Sequence, residues 1–96
     1  MFEIGRNAGD DSSVKNSIIA DGCVIEGTVE NSILFRSVKV GKGAVVRNSI
    51  VMEDGIIMEN ATLDYTITDK DVIIKDGRHL SGHESYPMVV VKGKVI

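Results

Sequence analysis

The chain has 96 residues, a formal net charge of −3, a single cysteine, ten glycines, one proline, two Tyr, two Phe and no Trp. That size gives one small domain or a piece of a larger protein, and the acidic balance argues against an electrostatic nucleic-acid binder. One Cys excludes an internal disulfide framework or a cysteine-based zinc site, and no apolar run approaches the roughly 18–20 residues of a membrane span.

In chain order, residues 1–13 (MFEIGRNAGDDSS) read as an N-terminal cap segment. They lack the charged-then-apolar layout of a secretory signal, which predicts a cytoplasmic protein. From residue 14 the chain repeats itself. KNSII, ENSIL and RNSIV recur, and aligning them on the preceding aliphatic gives starts at Val14, Val29, Val46 and, in degenerate form, Leu63. The steps are 15, 17 and 17 residues. Counting from each start, position +2 is Asn16, Asn31, Asn48, Tyr65; position +3 is Ser17, Ser32, Ser49, Thr66; position +4 is Ile18, Ile33, Ile50, Ile67. Position +5 is Ile19, Leu34, Val51, Thr68; position +9 is Cys23, Val38, Gly55, Val72; position +11 is Ile25, Val40, Ile57, Ile74.

Each full copy therefore divides into three short segments opening at +0, +5 and +11, the best of them VGKGAV at residues 40–45. No apolar set keeps helical spacing over ten residues, and simple alternation dies after four or five. Val and Ile with few aromatics favour strands and tight turns. The pattern predicts a prism of stacked parallel coils with three flat faces, each coil advancing by one strand spacing of ~4.8 Å. The Asn-Ser pair then marks a corner, since Asn tolerates left-handed backbone angles and its amide can bond the backbone or the next Asn. Gly22, Gly27, Gly41, Gly43 and Gly55 mark others. Val14, Ile18, Ile25, Ile33, Val40, Ile50, Ile57, Ile67 and Ile74 are expected inside, with Lys42, Arg47 and Glu53 outside, so Ile50→Asp is expected to prevent folding. Coils occupy residues 14–77, and 78–96 form a post-repeat loop (GRHLSGHES) and a strand segment (PMVVVKGKVI).

Side chains with chemical potential mostly carry structural readings. Cys23 falls in an inward column and reads as a small buried thiol. His79 and His83 fall in the post-repeat loop, a setting for solvent-exposed histidines rather than a catalytic base. Asp10, Asp11, Asp69 and Asp71 lack the spacing of a Ca²⁺ loop and read as turn residues, so no metal site is predicted. Arg36, Lys39, Lys42 and Arg47 read as a solvated basic face, with a phosphate-contacting patch as the alternative. No catalytic residue is assigned. A short stack has two open ends and exposed Phe35, Met52 and Met58, which predicts association as a homo-oligomer, a dimer or trimer.

The aliphatic-Gly-x-x-small-x segment resembles the hexapeptide repeat of left-handed parallel β-helices, which implies an all-β, single-stranded left-handed β-helix of about four coils. Residues 14–52, VKNSIIADGCVIEGTVENSILFRSVKVGKGAVVRNSIVM, further resemble the C-terminal β-helix domain of bacterial glucose-1-phosphate adenylyltransferase (ADP-glucose pyrophosphorylase). Residues 68–82 (TDKDVIIKDGRHLSG) and 86–96 (YPMVVVKGKVI) are closer to its GlgD-type regulatory subunit than to the GlgC type. The resemblance implies a non-catalytic assembly and regulatory domain whose enzyme makes ADP-glucose from ATP and glucose 1-phosphate for glycogen synthesis. Its partners are then the catalytic domain and other subunits. Mg²⁺ is expected in that catalytic domain, and no cofactor in this chain. The resemblance also implies that Lys70, at the turn after Thr68-Asp69, faces an anionic effector, with Lys92 and Lys94 on the terminal run near the same pocket. Two rivals are a hexapeptide acyltransferase fragment and a free-standing β-helix interaction module.

Overall fold

The computed structural model describes residues 3–4 and 13–96; for 3–4 it describes the backbone only. The N-terminal cap segment, apart from those backbone positions and Ser13, lies outside the described residues, as do Asp10 and Asp11. Among the described residues fifteen short strands form five rungs of three. The first rung is β1 (Glu3–Ile4), β2 (Ser13–Lys15) and β3 (Ile18–Ile19); the second is β4 (Val24–Ile25), β5 (Thr28–Glu30) and β6 (Ile33–Leu34). The third is β7 (Lys39–Val40), β8 (Val45–Arg47) and β9 (Ile50–Val51); the fourth is β10 (Ile56–Ile57), β11 (Thr62–Asp64) and β12 (Thr66–Thr68). The fifth is β13 (Ile73–Ile74), β14 (His79–Ser81) and β15 (Met88–Val90).

Every third strand pairs in parallel, giving three five-stranded sheets. Face A is β1-β4-β7-β10-β13, face B is β2-β5-β8-β11-β14, and face C is β3-β6-β9-β12-β15. From first to last strand each face climbs four turns, the expected all-β hexapeptide β-helix. The registers reproduce the repeat: Val14↔Val29, Val29↔Val46 and Val46↔Leu63 on face B, and Ile33↔Ile50 on face C.

Three corners join the faces, and left-handed backbone angles cluster there. The corner from B to C holds Asn16, Asn31, Asn48 and Tyr65, at φ 49–50°. The corner from C to A holds Gly22, Ser37, Asp54, Asp71 and Gly93 at φ 58–78°, and the corner from A to B holds Gly43, Asn60 and Gly77. The 15-residue step is explained at this last corner. Only Glu26 and Gly27 link β4 to β5, where the later coils use four residues. The shortened corner presses Gly27 against the rung above, and a Cβ there would collide with the carbonyl oxygens of Ala44 and Gly41. Glycine is required by that close approach.

The repeated Asn-Ser pair is a hydrogen-bonded ladder. Each Ser hydroxyl donates to the carbonyl two residues back: Ser17 to Lys15 at 2.8 Å, Ser32 to Glu30 at 2.7 Å, Ser49 to Arg47 at 2.6 Å. Each also accepts the amide of the next rung: Ser32 N to Ser17 Oγ at 3.1 Å, Ser49 N to Ser32 Oγ at 3.2 Å, Thr66 N to Ser49 Oγ at 3.2 Å. A hydroxyl thus fills the gap where the corner takes the main-chain carbonyl out of line. Asn16 Nδ2 reaches Asn31 Oδ1 at 2.6 Å, and Asn48 Nδ2 reaches Asp64 Oδ1 at 3.1 Å.

This ladder corrects one expectation. The hydroxyls of Ser32, Ser49 and Thr66 point inward and are buried. Strand alternation then sends +4 outward and +5 inward. Ile18 is 67% exposed and Ile33 37%, while Ile50 and Ile67 are half-buried. Leu34, Val51, Thr68 and Val90 fill the core in their place. The expected inward placing of Ile18, Ile33, Ile50 and Ile67 is wrong, and so is its corollary that Ile50→Asp abolishes folding by burying a carboxylate in the core. The remaining columns are as expected: Ile25, Val40, Ile57 and Ile74 from face A and Val29, Val46 and Leu63 from face B are buried, and Val14 packs against them from the half-buried first rung.

The fifth rung is closed differently. Its turn from face B to face C is a longer loop, Gly82–Pro87, in which His83 and Tyr86 pair back on each other through both main-chain groups. The C-terminal residues then return to face A, where Val95 bridges Ile73 and Ile96 packs on the core.

Candidate functional site

The richest polar constellation lies on the corner from face C to face A. Residues one step before its left-handed positions stack vertically: Asp21, Arg36, Glu53, Lys70 and Lys92. Their stacking is fixed by the backbone, since each left-handed residue donates its amide to the carbonyl one rung below. Ser37 N bonds Asp21 O, Asp54 N bonds Arg36 O and Asp71 N bonds Glu53 O, all at 3.1 Å, and Gly93 N bonds Lys70 O at 3.0 Å. An open groove of about 480 Å³ runs along Asp21, Arg36, Glu53 and Lys70.

Charge alternates up this corner until the top, where Lys92 follows Lys70. Two ammonium groups on neighbouring rungs, one strand spacing of ~4.8 Å apart at the backbone, attract an anion and repel each other without one. Lys70 is exposed, and the turn beneath it is held by Asp69, whose Oδ1 accepts the Lys70 amide at 2.7 Å. The two lysines singled out from the sequence are therefore brought together. Lys94 sits two residues further along, where its main-chain carbonyl accepts the amide of Ile73 on face A.

Other candidates fall into structural roles. Cys23 is buried, its thiol donates to the Phe35 carbonyl at 3.0 Å, and burial pushes the thiol pKa up, which makes it a poor nucleophile. His79 is an exposed residue of β14. His83 stands in the fifth-rung loop, its Nδ1 3.0 Å from Ser85 Oγ and accepting the Ser85 amide at 3.3 Å. That partner orients the ring within an exposed loop. Asp71 is a left-handed corner residue. Among the described residues no three His, Cys, Asp or Glu side chains converge as a group that could hold a metal ion. No described helix is long and apolar enough to cross a membrane.

A second charged column escaped the sequence reading. The last residues of the first four face B strands are Lys15, Glu30, Arg47 and Asp64 in successive rungs. Arg47 Nε lies 3.3 Å from Glu30 Oε1. The signal is present at position +1 of the repeat, as the other column is at +7, but the charge changes sign from copy to copy, so no residue type recurs to mark either column.

Residues 3–85 match the family described as GlmU-like, C-terminal hexapeptide. The chain is 48% identical over 87 residues to the glycogen biosynthesis protein GlgD of Bacillus subtilis (strain 168), covering 91% of this chain and 25% of that protein. It is 76% identical over 38 residues to GlgD of Geobacillus stearothermophilus, covering 40% of this chain and 11% of that one. With the glucose-1-phosphate adenylyltransferase of Acetivibrio thermocellus it shares 40% identity over 79 residues, 82% of this chain and 18% of that enzyme. The chain thus spans a quarter or less of the length of these relatives.

Proposed function

Since the chain belongs to the GlmU-like C-terminal hexapeptide family, we propose that it is a non-catalytic assembly and regulatory domain of the glucose-1-phosphate adenylyltransferase system of glycogen synthesis, working in the cytoplasm. The observation that carries this is the 48% identity to GlgD across 91% of the chain. The fold supports it: the coil interior is filled by Val, Ile and Leu, and the described surface offers grooves along corners rather than an enclosed nucleotide pocket. The domain's contribution is then to hold other subunits or the catalytic region, which carries the ATP and glucose 1-phosphate chemistry. Lys70 and Lys92 are the residues through which an anionic effector acts, because they form the one unbroken pair of positive charges on the C-to-A corner. Each supplies a point charge without the bidentate fork of an Arg, so a phosphate is held by charge more than by geometry.

Calorimetric titration with a sugar phosphate and with inorganic phosphate tests this. Binding that is lost in the Lys70→Glu, Lys92→Glu double variant, with the circular dichroism spectrum unchanged, supports the effector role. Equal binding by both proteins contradicts it. Pyrophosphate release from ATP and glucose 1-phosphate by the chain alone, or acyl transfer from acetyl-coenzyme A, would overturn the non-catalytic reading.

A further inference from the structure

Face C carries its own pattern on the outside. Two adjacent columns of its outward side are apolar: Ile18, Ile33, Ile50, Ile67 and Val89, and beside them Ala20, Phe35, Met52 and Val91, interrupted by Asp69. Ile18 is 67% exposed and Val89 62%, unusual values for large aliphatics stacked in one flat column. Faces A and B are not equivalent to it. The outward column of face A is Val24, Lys39, Ile56 and Ile73, so a lysine breaks its apolar run, and face B is studded with Ser13, Lys15, Thr28, Glu30, Arg47, Thr62 and Asp64.

The borders of this apolar face are charged in a regular way. Each of the first four face C strands is preceded by one charge and followed by the opposite one: Lys15 and Asp21, Glu30 and Arg36, Arg47 and Glu53, Asp64 and Lys70. The signs invert from each rung to the next. Two copies can pack this face on itself with a two-fold axis in either of two directions. With the axis along the stack, the beginning of each strand lies over the end of its counterpart in the same rung. Glu30 then meets Arg36, Arg47 meets Glu53 and Asp64 meets Lys70, along both borders. Lys15 and Asp21 match likewise on the first rung, and on the fifth Ser81 faces Lys92 without a gain. With the axis across the stack and through the third rung, Glu53 meets Glu53, Arg47 meets Arg47, Arg36 meets Lys70 and Glu30 meets Asp64, like against like, and only Asp21 and Lys92 are opposite in sign. Moving that axis between the second and third rungs restores opposite charges but leaves the fifth rung, with Val89 and Val91, uncovered. Matched charges together with overlap of all five rungs select the first arrangement.

We propose that the outward side of face C is the interface of a dimer of this chain in which the two stacks run parallel and the face is bordered by these crossed charge pairs. Arg47 already bonds Glu30 within its own chain, so the second copy extends an alternating column rather than creating isolated pairs. Five rungs at ~4.8 Å by the width of one face give a footprint of about 500 Å² per copy, at the low end for a stable pair, so association in the micromolar range is expected. The proposal is independent of the enzyme assignment, because it rests on the face and its borders alone.

Two measurements test it. Sedimentation equilibrium on the 96-residue chain should give a dimer at high micromolar concentration that Ile33→Asp weakens roughly a hundredfold, since two unpaired carboxylates would enter the dry contact. A short thiol-reactive cross-linker then reads the direction, Cys23 being buried and protected. A mixture of Glu53→Cys and Arg47→Cys chains should cross-link between chains, while Glu53→Cys alone should not. Cross-linking of Glu53→Cys to itself would show the crossed two-fold instead and overturn the proposal. A dimer indifferent to Ile33→Asp, with the variant's circular dichroism spectrum intact, would place the contact at the ends of the stack or on another face. A monomer throughout would also overturn it, leaving face C to a segment of a longer polypeptide or to a different protein.

Discussion

Replacing Ser49 by Ala should destabilise the protein more than replacing Ile50 by Ala, against the usual ranking of a hydroxyl and a large aliphatic. Ser49 is 3% exposed; its hydroxyl donates to Arg47 O at 2.6 Å and accepts the Thr66 amide at 3.2 Å. Alanine would leave the Thr66 amide without its acceptor in the middle of the stack, while the Arg47 carbonyl keeps the Tyr65 amide at 3.3 Å. At ~1–3 kcal/mol for one interior group left unsatisfied, the loss is about 1–3 kcal/mol. For a domain of this length total stability is roughly 5–14 kcal/mol, so a fall in Tm of roughly 5–20 °C is expected. Ile50 points outward and is half-buried, so its truncation removes only part of a side chain's apolar burial, about 1 kcal/mol or less. Were Ile50 inside, the same change would leave a cavity and cost about 2–5 kcal/mol. Thermal unfolding followed by circular dichroism, at low micromolar concentration to suppress association through face C, separates the two cases. A larger loss for Ile50→Ala than for Ser49→Ala would refute the ladder and the assignment of inside and outside on this face.

Thr68 fills an inward position that an aliphatic occupies in the other described rungs, and its buried hydroxyl has no hydrogen-bond partner among the described residues. Thr68→Val should therefore stabilise the fold, by about 1 kcal/mol, measurable as a higher guanidinium midpoint at unchanged slope. Gly27→Ala should destabilise by more than about 2 kcal/mol in the same assay, because the added methyl meets backbone carbonyls rather than a flexible side chain. The Cys23 thiol is held above its ordinary pKa by burial. Its contribution is fully present below the unfolded value of about 8.5 and declines as pH rises beyond it, since only the unfolded thiol ionises there. Subtracting the stability–pH profile of Cys23→Ala from that of the parent should give a flat difference at neutral pH and a falling one in the alkaline range.

The repeat was legible in the sequence because period and register are properties of spacing, and Val29, Val46 and Leu63 could only recur together in a stack. The orientation of the Ile column was not. An aliphatic pair such as Ile33-Leu34 offers two candidates for one inward site, and hydrophobicity cannot choose between them. The choice is made by Ser32, whose hydroxyl must reach Glu30 O and the Ser49 amide. Lys70 was found through the repeat and the family resemblance together, whereas its neighbour relation to Lys92 depends on a 22-residue final step, with its extra loop at Gly82–Pro87, that spacing alone does not predict. The charged borders of face C were written plainly at two positions of the repeat. They become meaningful only once the strand between them is seen to present its isoleucines outward.

The most direct test of the central claim is to mix the purified chain with the glucose-1-phosphate adenylyltransferase encoded in the same genome, and to follow both co-elution on size exclusion and ADP-glucose formation across an effector titration. An assembly and regulatory domain predicts co-elution and a shifted effector response, the latter weakened by Lys70→Glu, Lys92→Glu, with no turnover by the chain alone. Separate elution with an unaltered effector response, or turnover by the isolated chain, would contradict it.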